Sequence, residues 1–225
     1  MDKVRVLNVK QSVFANNIAR ADLVRKKLKE KNVYLINLMS SPGSGKTTLL
    51  VALINKIKDR LKVGVMEADI DATVDAETIE ASTGAKTIQL HTAGECHLDA
   101  KMMDDGLDGF GIDGLDLVIL ENIGNLVCPA EFDTGANLSL EILSVPEGDD
   151  KPLKYPLMFK VANGVIFSKM DTISVFDFDV DKAKERILRL NPNSVFFPVS
   201  AKYGEGMDEL ADYIVAKVKA YQAEK

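Results

Sequence analysis

Apolar residues at Phe14, Ile18, Ala21, Val24 and Leu28 recur at three- and four-residue steps, so Gln11 to Lys31 is predicted to form an amphipathic helix. After it the pattern changes. Short apolar runs, VYLINLM (33–39), VGVME (63–67), KTIQL (86–90), LVILE (117–121), LEILSV (140–145), GVIFS (164–168) and SVFFPVS (194–200), alternate with segments that can supply helices at 46–59, 75–82, 97–105, 179–190 and 206–220. Runs that are apolar on both faces suit strands of a parallel sheet covered by helices on each side. The expected architecture is α/β, a mostly parallel β-sheet with helices on both faces. Residues 1–32 are expected to pack as a helical extension on a core domain of residues 33–225. Met207, Leu210, Ile214 and Val218 give the last helix a clear apolar stripe. There is no internal repeat, low-complexity segment or interdomain linker. The polar, proline-bounded stretch Pro146 to Pro156 reads as an exposed functional loop or an interface arm.

Composition narrows the function classes. A chain of 225 residues with 46% apolar and 28% charged residues is an ordinary globular protein, long enough for one α/β domain. Its 28 basic against 34 acidic residues, a formal charge of -6, argue against a nucleic-acid binder. The basic run RKKLKEK is interrupted by Leu28 and Glu30 and reads as a solvated helix face. The start MDKVRVLNVK scatters charges where a secretory signal needs an apolar run, and the longest uncharged stretch, Asn32 to Gly45, is too short to span a membrane. A soluble cytoplasmic protein without a membrane partner is expected. Two cysteines and two histidines are too few for a disulfide scaffold or a four-thiolate cluster.

The chemistry begins at Ser40-Ser41-Pro42-Gly43-Ser44-Gly45-Lys46-Thr47-Thr48, which follows a strand and opens a helix, the context a P-loop requires. Gly43, Ser44 and Gly45 let backbone N–H groups face a β-phosphate at a helix N-terminus. Lys46 can reach the β- and γ-phosphates, and the Thr47 hydroxyl can ligate Mg²⁺. Ser40 stands where the general pattern GxxxxGK[ST] has its first glycine. Leu117 to Glu121 followed by Asn122-Ile123-Gly124 resembles a Walker-B strand running into a DxxG switch, with glutamate for aspartate. A carboxylate there can hold Mg²⁺ directly or through water. Asp69, Asp71 and Asp75 sit where a first switch segment would lie, and each is equally readable as a helix cap or a solvated acid. Asp69 is the preferred candidate for positioning metal or water. No glutamine or histidine stands beside the switch to activate water, so slow intrinsic hydrolysis is expected.

Ser168-Lys169-Met170-Asp171 and Ser200-Ala201-Lys202 each follow a strand and resemble the NKxD and SAK elements of GTP-binding proteins. An aspartate can accept from both N1–H and the 2-amino group of guanine, a donor pair adenine lacks, and such polar pairing discriminates strongly. The Lys169 stem can cover the base, and the Ala201 N–H can reach the guanine O6. Ser168 replaces the asparagine that usually helps fix the loop, which puts guanine affinity in question.

Cys96 and His97 are adjacent in AGECHLDA after the strand KTIQL, and Cys128 lies in GNLVCPA after the switch-like segment. All three follow C-terminal strand ends and can share an edge with the switch. Two thiolates and an imidazole suit Zn²⁺ or Ni²⁺, with a fourth position for water or another ligand. Adjacent ligands need a local turn, such as the start of a helix at Cys96–His97. The alternative is that each cysteine is a small buried hydrophobe. His91 reads as structural or surface.

Taken together, SSPGSGKTTLL, GECHLDA, ENIGNLVCPAEFD, DDKPLKYP and SAKYGEGMDEL resemble the HypB family of hydrogenase-maturation nickel GTPases, over nearly the whole chain from Val33. The resemblance implies a SIMIBI-type G domain that forms a GTP-dependent homodimer, with GTP, Mg²⁺ and Ni²⁺ or Zn²⁺ as ligands. It makes Cys96, His97 and Cys128 metal ligands between the subunits, gives Lys46 and Thr47 to phosphate and Mg²⁺, and makes Asp171 the guanine reader. Lys151 or Lys154 becomes a contact across the dimer. It also implies a HypA-type nickel-binding accessory protein and a hydrogenase large-subunit precursor as partners. No cysteine precedes Cys96 and no histidine precedes His91, so neither an N-terminal cysteine motif nor a histidine-rich storage tract of the kind some members carry is expected. The competing readings are a related metallochaperone GTPase for another metalloenzyme and a metal-binding buffer in which nucleotide serves only structure.

Overall fold

A computed structural model describes residues 9–69, 74–92 and 94–224, with side chains of the first helix from Phe14 onward. The apolar runs pair into a seven-stranded, wholly parallel sheet in the order β3-β2-β4-β1-β5-β6-β7, built from β1 (Tyr34–Ser40), β2 (Val63–Asp69), β3 (Lys86–His91), β4 (Leu117–Glu121), β5 (Leu138–Ser144), β6 (Gly164–Ser168) and β7 (Val195–Pro198). β1 is central, with β4 and β5 on either side. The chain therefore leaves β1 in one direction and later returns to fill the other, and the loops after β1 and β4 meet at a switch in strand order, where parallel sheets bind ligands.

Helices α2 (Lys46–Ile57), α3 (Val74–Thr83) and α9 (Met207–Ala223) cover one face through Leu49, Leu50, Ile54, Ile79, Leu210 and Ile214. On the other lie α1 (Val9–Lys31), α4 (Ala100–Phe110), α7 (Pro156–Val161) and α8 (Val180–Leu190), which bury Val24, Leu28, Met103, Leu107, Phe159 and Ile187. Three glutamates, Glu67, Glu121 and Glu141, are buried within strands. Charged side chains are almost never fully buried without a partner, so each requires an explanation.

Four local expectations need correction. Ile18, placed on the buried stripe of α1, is 55% exposed, whereas Ala21, Val24 and Leu28 are fully buried. The basic end of α1 is not simply solvated: Lys27 pairs with Asp104 and Asp108 of α4, Lys31 with Asp113, and Lys29 donates to the Tyr221 and Glu224 carbonyls. These cations tie the first helix to the domain. The helix expected from His97 begins at Ala100, because the Asp99 side chain accepts from the Met102 N–H and caps it there. Finally, the stretch 146–156 is not an open loop. A capping box between Ser144 and Glu147 closes a 3₁₀ turn at Val145–Glu147, followed by α6 (Lys151–Lys154) with Pro152 buried.

Candidate functional site

β1 delivers the chain into the P-loop at the switch point. Gly43 and Gly45 adopt φ of 73° and 95°, left-handed values that side chains rarely take, and Gly45 caps α2. The Lys46 ammonium donates to the Ser40 hydroxyl at 2.9 Å, so the residue standing in place of the pattern's first glycine holds the phosphate lysine in this state. Ser44, Lys46, Thr47 and Thr48 follow one another around the same turn into α2.

Thr47 donates to the Glu121 Oε1 atom at 3.3 Å, joining α2 to the end of β4. Glu121 is opposite Glu67 in the β2–β4 register, and carboxylate oxygens of Glu67, Asp75 and Glu121 lie within 4.8 Å of one another. Burial pushes Glu121 up to about 8, helped by Glu67 and opposed by the Lys46 charge; burial likewise pushes Glu67 up to about 7. Glu121 Oε2 and Glu67 Oε2 are buried without a hydrogen-bond partner among the described residues. Two unmet carboxyl oxygens beside a hydroxyl match the hard oxygen ligands of Mg²⁺, so the donor set fits that ion. The acidic group differs from the one expected: Asp69, at the end of β2, is not part of it, and Asp71 lies outside the described residues. Glu67 was legible only as an acid closing the otherwise apolar run VGVME.

The base-side elements meet the P-loop from β6 and β7. Ser168 donates to the Ser44 carbonyl at 2.9 Å and Lys169 to the Gly43 carbonyl at 2.7 Å. Ser168 thus supplies a tie to the P-loop from the place asparagine usually occupies. Ser200 donates to Asp171 Oδ1 at 2.7 Å, fixing the carboxylate at the rim of a cavity of about 230 Å³ that Gly45, Thr48, Lys169, Ala201 and Lys202 also line. The P-loop and both base motifs therefore border one space.

Cys96 and Cys128 are brought together, with Sγ atoms 2.7 Å apart, both as free thiols and both half-buried. His97 Nδ1 lies 3.9 Å from Cys96 Sγ, and its ring stacks on Phe132 with centroids 3.8 Å apart. The contact with Cys128, together with burial, raises the Cys96 thiol above its ordinary value. The bend comes from the turn before Asp99 and not from helix, since Cys128 alone begins a helix, the short α5 (Cys128–Glu131). His91 ends β3 and is exposed, apart from this cluster.

Gly124, the end of the switch-like segment, and Asn125, which was not singled out in the sequence, connect the sites. A Cβ on Gly124 would come within 3.1 Å of the Pro42 backbone and 3.3 Å of Lys46 Nζ, so the segment after β4 lies directly on the P-loop. Asn125, next in sequence, donates to the Cys96 carbonyl at 3.4 Å and accepts from the Val127 N–H at 2.8 Å. The path from Glu121 to Cys128 touches the phosphate loop at one end and the thiols at the other. Lys151 lines a cavity of about 500 Å³ with Ser41, Pro42 and Gly124, whereas Lys154 is exposed and pairs with Asp150 at 2.5 Å.

Comparison with known proteins gives a consistent result. The sequence pattern of the CobW/HypB/UreG nucleotide-binding domain matches residues 34–198. Hydrogenase maturation factor HypB of Rhizobium leguminosarum bv. viciae is 41% identical over 208 residues, covering 92% of this chain and 69% of the relative. Hydrogenase/urease maturation factor HypB of Helicobacter hepaticus is 41% identical over 94% of this chain and 88% of its own. Among solved structures, HypB from Helicobacter pylori in complex with nickel superposes with a TM-score of 0.85 at 38% identity, covering 93% of this chain and 99% of that one.

Proposed function

Because this chain belongs to the CobW/HypB/UreG family, among its HypB proteins, we propose that it is a GTP-hydrolysing nickel metallochaperone that delivers Ni²⁺ during [NiFe]-hydrogenase maturation. The observation that carries this reading is the union of two sites by one short segment: Glu121 and Gly124 at the phosphates, Asn125 and Cys128 at the thiols. Ni²⁺ is the cargo. Cys96, His97 and Cys128 are its ligands on this chain, and Zn²⁺ suits the same donors.

GTP takes its phosphates against the P-loop backbone and its base into the cavity beside Asp171, whose carboxylate, held by Ser200, accepts the N1–H and 2-amino donors. Lys46 leaves Ser40 for the β- and γ-phosphates. Mg²⁺, when bound, neutralises charge on those phosphates; Thr47 and Glu121 hold it, with Asp75 and Glu67 beside them, and we favour this group over Asp69. No glutamine or histidine acts on water from the switch, so intrinsic turnover is slow until a second subunit completes the site. Of the two candidate lysines, Lys151 is the one we assign to phosphate contact at the dimer, supported by its place beside Ser41 and Gly124. Hydrolysis then withdraws the contact at Gly124, and Asn125 passes the change to Cys96. A HypA-type accessory protein and a hydrogenase precursor are the proposed exchange partners; the hydrogenase/urease naming of the Helicobacter hepaticus relative supports urease assembly as a second destination.

The test is nickel titration with particle-size measurement under GDP and under a non-hydrolysable GTP analogue. The analogue should produce dimers and change nickel affinity or stoichiometry. Identical nickel binding and a monomer in both states would overturn the coupling, and unchanged GTP hydrolysis by Lys46→Ala would overturn the assignment of the nucleotide site.

A further inference from the structure

Asn17 of α1 has no part in the chemistry above, yet its side chain is buried, with the residue 9% exposed, and it joins two segments far apart in sequence. Its Oδ1 accepts from the Ala100 N–H at 2.8 Å, and its Nδ2 donates to the Asp133 carbonyl at 3.0 Å. Ala100 opens α4, three residues after His97, and its N–H is one of the first-turn donors that a helix cannot satisfy internally. Asp133 directly follows Phe132, the ring on which the His97 imidazole stacks. One carboxamide therefore spans the two segments that carry the two halves of that stack.

Other contacts of α1 reach the same two segments. The Phe14 ring packs against Phe132 with centroids 5.4 Å apart and planes tilted by 44°. Arg25 Nη2 donates to both Asp133 carboxylate oxygens, at 2.7 and 2.6 Å. A Cβ on Gly135 would come within 2.7 Å of Val24 and 2.9 Å of the Ala21 carbonyl, so the chain leaving Asp133 runs directly against the helix. On the α4 side, Arg20 and Lys27 pair with Asp104. α1 is thus anchored to both segments, and in Asn17 the two anchorages meet in one side chain. A carboxamide supplies acceptor and donor at once; a carboxylate lacks the donor, and a leucine side chain of similar size lacks both.

We propose that Asn17 is a positioning residue for His97: by fixing the start of α4 against the segment after Phe132, it seats the imidazole on Phe132 beside the Cys96 and Cys128 sulfurs. In that seat His97 Nδ1 stands 3.9 Å from Cys96 Sγ while the two rings stack with centroids 3.8 Å apart. A ligand already held in one orientation loses less freedom when the metal arrives. Without Asn17 the Ala100 N–H and the Asp133 carbonyl are left buried and unpaired, the two segments part to reach water, and the imidazole loses its seat. The thiol side keeps a separate tie, the bond from Asn125 to the Cys96 carbonyl. The first helix is thereby part of the metal site without contributing a ligand. This inference rests on the assignment of Cys96, His97 and Cys128 as the nickel ligands.

The experiment titrates Ni²⁺ into the GDP-bound native protein, Asn17→Leu, His97→Ala and the double variant, and records nickel-edge X-ray absorption at saturation. Asn17→Leu should lower nickel affinity by about tenfold, the lower end for groups that orient a metal ligand, and at saturation should keep both sulfurs while weakening the imidazole contribution. Its GDP affinity should match the native protein. His97→Ala should lower nickel affinity as well, and in its background Asn17→Leu should add less than about twofold, because both changes act through one imidazole. A general loss of folding would instead add in the double variant and leave the ligand set at saturation unchanged, and that result overturns the inference. Native nickel affinity in Asn17→Leu, with His97→Ala weakened, overturns it too. If His97→Ala binds nickel as tightly as the native protein, the ligand assignment falls and this inference with it. Should Asn17→Leu fail to fold, Asn17→Asp keeps the acceptor for Ala100 and loses the donor to Asp133, and native nickel affinity with an unchanged imidazole contribution in that variant overturns the inference by itself.

Discussion

The Ser168 hydroxyl donates to the Ser44 carbonyl at 2.9 Å in a buried contact, binding the base-recognition loop to the phosphate loop. The sequence raised the concern that serine in place of asparagine loosens the guanine site. The geometry shows that the serine retains a direct tie, so the loop is fixed by a shorter side chain. Ser168→Ala leaves the Ser44 carbonyl without this donor. The expected loss is about 1 kcal/mol, or roughly fivefold in affinity for GDP and GTP alike, measured by titration calorimetry. A large loss confined to GTP would contradict a role common to both nucleotides.

Asp171 is aimed by Ser200 and borders the base cavity. An asparagine there keeps one acceptor and gains a donor, which opposes the guanine 2-amino group and suits the 2-carbonyl of xanthine. Asp171→Asn should weaken GTP binding by at least about 100-fold while improving XTP binding, because a buried donor left facing a donor loses its pairing. Competition between the two nucleotides measures the exchange of preference.

Glu121 has a folded-state value of about 8, far above the ordinary carboxylate value near 4.5, with burial as the main cause. The folded protein therefore holds a proton that the unfolded chain has lost across the range between those values. As far as this group is concerned, the stability of the nucleotide-free protein should be greatest below about pH 4.5 and fall as pH rises toward 8, by on the order of 5 kcal/mol. Glu67, raised to about 7, adds to the trend in the same direction. Denaturant melts should show Glu121→Gln to be less pH-sensitive than the native protein. Mg²⁺ with nucleotide should likewise suppress the decline in the native protein.

The Cys96 and Cys128 sulfurs meet at 2.7 Å with His97 stacked on Phe132 behind them. Removing either thiol should lower nickel affinity by at least about tenfold and weaken the thiolate-to-nickel absorption band, which should vanish when both are removed. Phe132→Ala should keep the band while loosening the imidazole, with a smaller loss. Retention of full affinity in Cys96→Ala/Cys128→Ala would place the metal elsewhere.

Asn125 joins the two sites through its bond to the Cys96 carbonyl. Asn125→Ala should leave nickel binding in the GDP state within about threefold of native, yet reduce the difference between GDP and GTP-analogue states, since a ligand shifts an equilibrium only through contacts that differ between states. Paired nickel titrations measure that difference.

The proposed phosphate and base elements were legible in local sequence because each depends on a few consecutive residues. A glycine at left-handed φ, a lysine at a helix start and an aspartate three residues after a strand end are fixed by backbone geometry within a single turn. The parallel sheet was legible for the same reason, through runs apolar on both faces. Tertiary structure decided which distant residues meet. Glu67 joins Glu121 because β2 pairs with β4, a register no local pattern encodes, and this moved the acidic group away from Asp69. Lys151 was separated from Lys154 only when α6 turned one toward the P-loop and left the other in solvent. The same packing buried Glu141 in β5 with neither carboxyl oxygen hydrogen-bonded among the described residues. In sequence Glu141 is a lone acid in an apolar strand; its meaning depends on the low dielectric and the missing partners that only the folded chain creates.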